Sequence, residues 1–225
     1  MGPNRWPLRE VVTRLEGHHG RPARPMITDP FDMAVQEAVA YLVPDVRRDE
    51  VFATLRDKVG LAPHVLAATP RARLAQVIAR GGMQPLRRAE KIRMAADVAI
   101  EVGQEELRRL CRRDPTTARK ILVQFPGIGE PGADRILLFN RGNPGLAPDS
   151  NGLRVLNRLG FGADAGDYRK TYRGTAAAVA AELPADFDWM IRAHQLLRRH
   201  GQDLCTRNAP RCSVCPLAER CPARR

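Results

Sequence analysis

Four of the chain's five cysteines, Cys205, Cys212, Cys215 and Cys221, fall within 17 residues near the C-terminus, while Cys111 stands alone. In a reducing compartment thiols clustered this densely bind metal rather than pair as disulfides. Four thiolates on a short, Pro-containing loop wrap a single centre, and all-thiolate ligation suits zinc or an iron–sulfur cluster. The spacing Cys-x6-Cys-x2-Cys-x5-Cys is not the paired Cys-x2-Cys knuckle, and on the residues alone both centres stay open. Upstream, a helix of about Phe187 to His200 delivers the chain into this loop, with Gly201 as its expected stop.

The rest of the chain reads as helical. Apolar residues recur at helical spacing in Val35, Ala38, Val39, Leu42; in Val51, Phe52, Leu55; in Leu74, Val77, Ile78; and in Ile92, Ala95, Ala96, Ala99. Sustained period-2 alternation is absent, so an all-α fold is expected. A short helix over Leu8 to Leu15 is followed by GHHGRPARP, which reads as a linker with His18 and His19 as exposed loop residues. Asp114-Pro115 has the form of an N-cap and a first-turn proline opening a helix with Ala118, Ile121 and Leu122. That helix runs into FPGIG, where Gly127 and Gly129 force a tight hairpin before a second helix bearing Ala133, Ile136 and Leu137.

A chain of 225 residues makes one large domain or two interlocked lobes. Its net charge of +12 calls for a polyanionic partner. No apolar run approaches the ~20 residues of a spanning helix, and the N-terminus lacks a secretory signal. A soluble cytoplasmic protein with no membrane partner is expected. Only Lys58, Lys91, Lys120 and Lys170 carry side-chain amines; the other 33 of the 37 basic residues are arginine. The N–H groups opening the helix after the hairpin form a sequence-independent phosphate site, so Gly127, Ile128 and Gly129 are candidate DNA-binding residues. Arg207, Arg211, Arg220, Arg224 and Arg225 of the cysteine loop are further candidates for phosphate contact.

The stretches FPGIGEPGADRILLF, PDSNGLRVLNRLGF and HQLLRRHGQDLCTRNAPRCSVCPLAERCP resemble the endonuclease III family of helix-hairpin-helix DNA base-excision glycosylases. IARGGMQPLRRAEKIRMAADV is similar to that family's Gly-hydrophobic turn, with one extra residue; together these cover roughly half the chain. The resemblance implies an all-α, two-lobed helix-hairpin-helix DNA glycosylase fold with an iron–sulfur cluster loop. An N-terminal segment 1–33 would pack on the iron–sulfur lobe 141–225, and a helical lobe 34–140 would end in the hairpin. It implies a [4Fe-4S] cluster on Cys205, Cys212, Cys215 and Cys221. The partner would be double-stranded DNA with a damaged or mispaired base, bound by a nucleoid-associated monomer whose interlobe cleft receives the flipped base.

Carried over by position, the family's essential aspartate is Asp149, which alternatively only caps the helix at Ser150-Asn151. Where bifunctional members carry the lysine that forms a Schiff base, this chain has Pro131, a residue without an amine. Lys120 lies one helix earlier and is not its equivalent. Three outcomes follow: a monofunctional glycosylase using water, a non-catalytic iron–sulfur DNA-binding protein, or a glycosylase with residual lyase activity through another amine. The element that fills the gap left by the flipped base is missing; Tyr41 falls there to within about one residue, either stacking into the duplex or lying in the core. Met83 falls at the family's hydrophobic wedge position.

Overall fold

A computed structural model describes residues 5–224. Its helices are α1 (Leu8–His19), α2 (Pro30–Ala38), α3 (Asp45–Lys58), α4 (Pro63–Ala68), α5 (Arg71–Val77), α6 (Pro85–Val102), α7 (Gln104–Arg113), α8 (Pro115–Leu122), α9 (Glu130–Phe139), α10 (Ser150–Arg158), α11 (Tyr168–Ala180) and α12 (Phe187–Asp203). Among the described residues the only extended pairing is an isolated parallel bridge between Tyr41 and Gly82. The all-α expectation therefore holds. No helix among the described residues is long and apolar enough to cross a membrane. The chain divides into two compact units, one over Met26–Gly142 and one joining the N-terminal segment through Pro25 to the chain from Asn143 onward.

In the Met26–Gly142 unit, α6 supplies the spine. Ala89, Ile92, Ala95, Ala96 and Ala99 form one buried stripe, and the small side chains let α2, α4 and α5 approach closely. Around it lie Phe31, Phe52, Leu55, Leu74, Ile78, Leu107, Leu122 and Phe125. Each large side chain fully buried here contributes roughly 1.5–3 kcal/mol. Residues 26–33, expected with the N-terminal segment, belong to this unit. Phe31 and Met33 lie in its core, and Arg108 Nε donates to Asp29 Oδ2 at 2.6 Å. Leu42, matched above to the helical stripe, lies beyond the end of α2 with φ of 55° and is 77% exposed. The chain leaves the helix before it: the Val39 carbonyl accepts from Arg88, and Tyr41 N–H donates to the Gly81 carbonyl instead of to the helix ladder.

The hairpin forms as its residues dictate. The Asp114 side chain accepts from Thr117 N–H at 3.1 Å and caps α8. Phe125 and Ile128 are buried while Gly127 takes φ of 95°, a conformation that favours glycine. Gly129 then caps α9, whose first turn contains Pro131. Arg119 Nε donates to Asp134 Oδ1 at 2.8 Å, tying α8 to α9.

In the other unit α12 is central. α1 buries Leu8, Val11, Val12 and Leu15 on it, and α10 crosses it. Gly201 does not stop α12, which continues to Asp203. The glycine is needed instead for close approach, since a Cβ there would lie 2.7 Å from the Asn151 carbonyl oxygen of α10. His18 and His19 are likewise not loop residues: α1 extends through both, and the His19 side chain is only 4% exposed. Trp6 is sandwiched between the guanidinium groups of Arg14 and Arg220, at 3.7 and 4.2 Å from its ring centroid, which pins the N-terminal segment to the cysteine loop.

Candidate functional site

Asp149 precedes α10 and caps it. Its Oδ1 accepts from Asn151 N–H at 3.1 Å and Gly152 N–H at 2.8 Å, while Oδ2 accepts from Arg198 Nη1 at 2.7 Å and Asn151 Nδ2 at 3.2 Å. The side chain is 16% exposed. Burial pushes its carboxyl up, but Arg198, the Gly152 N–H, His194 and Asn151 outweigh it and hold Asp149 below the usual carboxylate range. The helix cap and the ion pair with Arg198 coexist at this one carboxylate. His194 is buried, and its Nδ1 carries a hydrogen donated to the Ala147 carbonyl at 2.8 Å. Tyr168, opening α11, has its phenol pushed up by burial and by the charge of Asp149.

Sequence reading missed Arg198, His194 and Tyr168. For the first two a signal existed: His194, Arg198 and Gly201 share one face of α12 at four- and three-residue spacing. Arg198→Met removes the opposing charge and leaves burial dominant. Asp149 then takes up its proton at higher pH, so the midpoint of its carboxyl titration followed by NMR is expected to move upward in pH. An unmoved midpoint would show that the pair does not set the ionisation of this carboxylate.

The cysteine loop is tied down by the far end of α10. Arg158 Nη1 donates to the Thr206 carbonyl at 2.8 Å and approaches Cys205 Sγ at 3.3 Å, and its Nη2 donates to the Arg207 carbonyl at 3.0 Å. Arg154 donates to the Cys205 and Gly201 carbonyls at 2.9 and 2.7 Å, and to Asn151 Oδ1 at 2.9 Å. Cys205, Cys212, Cys215 and Cys221 line one cavity of about 70 Å³ together with Arg158, Leu204 and Ala218. Among the described residues no three His, Cys, Asp or Glu side chains are grouped to hold a single metal ion. The cavity is several times the ~10–15 Å³ that one water needs, and all four cysteines border it. Burial pushes the Cys215 and Cys221 thiols up. Cys111 belongs to the other unit; burial and Asp29 push its thiol up to about 12, which makes it inert. His200 is pushed down to about 4 by burial, His19 and His18. This neutral ring bridges His19 Nε2, 3.1 Å from its Nδ1, and Cys215 Sγ, 3.5 Å from its Nε2. Arg225 lies outside the described residues.

In the Met26–Gly142 unit the hairpin presents Gly127 and Gly129, and a Cβ at Gly127 would lie 3.5 Å from Lys91 Nζ. A cation therefore stands beside the hairpin backbone, which sequence reading had not noted. Tyr41 and Met83 are 54% and 62% exposed, so Tyr41 is not a core residue. The bridge between Tyr41 and Gly82 places their two loops side by side.

No family model matches the chain. It is 35% identical over 104 residues to endonuclease III of Rickettsia conorii, a match covering 45% of each protein, so the aligned stretch spans under half of that relative's length. With endonuclease III of Thermotoga maritima it shares 25% identity over 213 residues, covering 95% of this chain and 89% of the relative. Among solved structures, a trapped endonuclease III–DNA covalent intermediate superposes with a TM-score of 0.74 at 22% identity, covering 96% of this chain and 94% of that one. The fold is that of the helix-hairpin-helix DNA glycosylases. Likeness along nearly the whole chain and likeness of fold agree: the chain is similar to the endonuclease III proteins from end to end of the aligned stretch and shares their fold.

Proposed function

We propose that this protein is a base-excision DNA glycosylase that hydrolyses the N-glycosidic bond of a damaged or mispaired base without lysine-dependent strand cleavage. The observation that carries this reading is Asp149, a carboxylate held ionised at a helix start by Arg198 and two backbone N–H groups. Such a group stabilises the positive charge that develops on deoxyribose as the base departs, or orients the water that adds to C1′. Pro131 offers no amine for a Schiff base, so water is the nucleophile and the strand stays intact. The target nucleotide is flipped out of the duplex at a cost of a few kcal/mol, least for damaged or mismatched bases. The hairpin N–H groups and Lys91 hold the phosphate backbone, and Tyr41 and Met83 press on the stack. DNA is bound by one protein monomer. In an assay of duplexes each bearing one lesion, free base is expected from at least one; a folded protein releasing none would defeat the reading.

Cys205, Cys212, Cys215 and Cys221 would hold a [4Fe-4S] cluster, a fit supported by the cavity they share. When bound, the cluster supplies a closed structural centre with no open coordination position. Arg154, Arg158 and His200 orient the loop around it. Protein purified without air exposure is expected to carry about four iron atoms per chain; one zinc and no iron would overturn the assignment.

A second reading, a non-catalytic iron–sulfur DNA-binding protein, is favoured by the ion pair itself, because Arg198 offsets the charge Asp149 would lend to the sugar. Salt-dependent duplex binding with no product from any lesion would select it. Residual lyase activity through another amine, Lys91 being the one beside the hairpin, would appear as a borohydride-trapped covalent adduct.

A further inference from the structure

The buried guanidinium of Arg88 is the feature of the Met26–Gly142 unit that the reading above leaves unused. Arg88 is 4% exposed. Its Nε donates to the Met83 carbonyl at 2.9 Å, Nη2 to Gly82 at 2.8 Å, and Nη1 to Ile78 at 2.9 Å and to the Val39 carbonyl. One side chain thus gathers main-chain acceptors from the end of α2, the end of α5 and the turn before α6. Desolvating a guanidinium for loop closure alone is costly, and an arginine fork is suited to fixing several acceptors at defined angles.

What the fork fixes is a strained and apolar surface. Tyr41 N–H donates to the Gly81 carbonyl at 2.8 Å. Leu42 and Gln84 sit at φ of 55° and 54°, left-handed values that side-chain-bearing residues rarely adopt. A Cβ on Gly81 would lie 2.2 Å from the Val39 carbonyl oxygen, and one on Gly82 would lie 2.3 Å from that of Tyr41, so only glycines let the two loops close. The outcome is Leu42 at 77%, Met83 at 62% and Tyr41 at 54% exposure, on two loops bridged at Tyr41 and Gly82. Arg47, in the first turn of α3, and Arg87, in the first turn of α6, are exposed and follow these two loops closely in the chain. Apolar side chains that unstack a base step, flanked by cations for the phosphates, match duplex DNA.

We propose that Arg88 is a positioning residue that locks these two loops into one rigid wedge, with Leu42 and Met83 at the tip and Tyr41 beside them, ready to enter the base stack before DNA arrives. Leu42 thereby joins Met83 as a probing residue, and the proposal rests on the DNA glycosylase reading. A wedge held rigid in the free protein meets little ordering cost on binding.

The test uses a duplex with a fluorescent adenine analogue stacked beside an abasic-site analogue, whose emission rises when the stack opens. Wild type is expected to raise it. Arg88→Lys keeps the charge but not the fork; it is expected to lower the equilibrium for stack opening by about tenfold, with affinity for undamaged duplex within about twofold. In a Leu42→Ala/Met83→Ala background the same substitution is expected to add no further loss, because the wedge it positions is gone. Full stack opening by Arg88→Lys, or an equal loss in both backgrounds, would overturn the proposal. Should Arg88→Lys not fold, amide exchange in the wild type decides: Tyr41 N–H as slow as the interior of α6 supports a preformed wedge, and exchange at loop rates overturns it. A wild type that opens no lesion duplex defeats the glycosylase reading itself, an outcome separate from a wild type that opens the stack and an Arg88→Lys variant that does so equally.

Discussion

Asp149→Asn is expected to lower the single-turnover rate of base release by on the order of 10²-fold or more, with duplex affinity within about twofold of wild type. The substitution isolates the charge. Asparagine caps a helix as well as aspartate does, so the bonds from Asn151 N–H and Gly152 N–H survive and α10 keeps its start. What disappears is the negative charge opposite Arg198 and the field it lends to an electron-poor sugar. A factor of 10² is about 2.7 kcal/mol of transition-state stabilisation, within the range of one well-placed charged group. Asp149→Ala would remove cap and charge together and confuse the two. Equal rates for wild type and Asp149→Asn would show that the residue is only a cap.

The second large effect is expected on stability. Gly201→Ala puts a methyl 2.7 Å from the Asn151 carbonyl oxygen and 2.8 Å from its carbonyl carbon, and neither is a flexible side-chain end that can swing away. Overpacking of this kind costs roughly 1–3 kcal/mol or more, so Tm is expected to fall by about 5 °C or more at about 2–4 °C per kcal/mol. The damage is not confined to Tm. Asn151 also bonds Asp149, and the Gly201 carbonyl accepts from Arg154, which holds Cys205. Parting α10 from α12 therefore disturbs the carboxylate and the cysteine loop at once, and iron content and turnover are expected to fall together. Gly174→Ala is the control: it lies inside α11 with nothing within 4 Å of its Cβ position, and the same substitution there is expected to stabilise by roughly 0.5–1 kcal/mol. A Tm for Gly201→Ala as high as that of Gly174→Ala would mean that the two helices do not cross so closely.

What could be read from the residues was what local chemistry determines. The Asp114-Pro115 helix start, the Gly127 turn and the Ile92 to Ala99 stripe each follow from spacing and backbone preference within about one helical turn or two. The thiol spacing pointed to a metal loop before any packing was known. Misreadings arose where a local pattern had two outcomes. Leu42 continued an apolar period that α2 itself abandons at Ala38. Gly201 looked like a helix stop because glycine often is one, yet here it serves a helix crossing. Invisible altogether was Arg88, which reaches Val39 across 49 positions of sequence, while Arg198, which reaches Asp149 across as many, left only its shared face with His194 and Gly201 on α12. Nothing in an arginine-rich chain marks which guanidinium will be buried against carbonyls and which will stay on the surface. Such residues become legible only when the fold brings their acceptors together.

The most direct test compares strand breakage with and without hot alkali on lesion-bearing duplexes, wild type beside Asp149→Asn. Hydrolysis without lysine chemistry leaves an intact abasic strand, so breaks are expected only after alkali, in the wild type and far more slowly in Asp149→Asn. Breaks of equal yield without alkali, or alkali-labile product formed equally fast by both proteins, would contradict it.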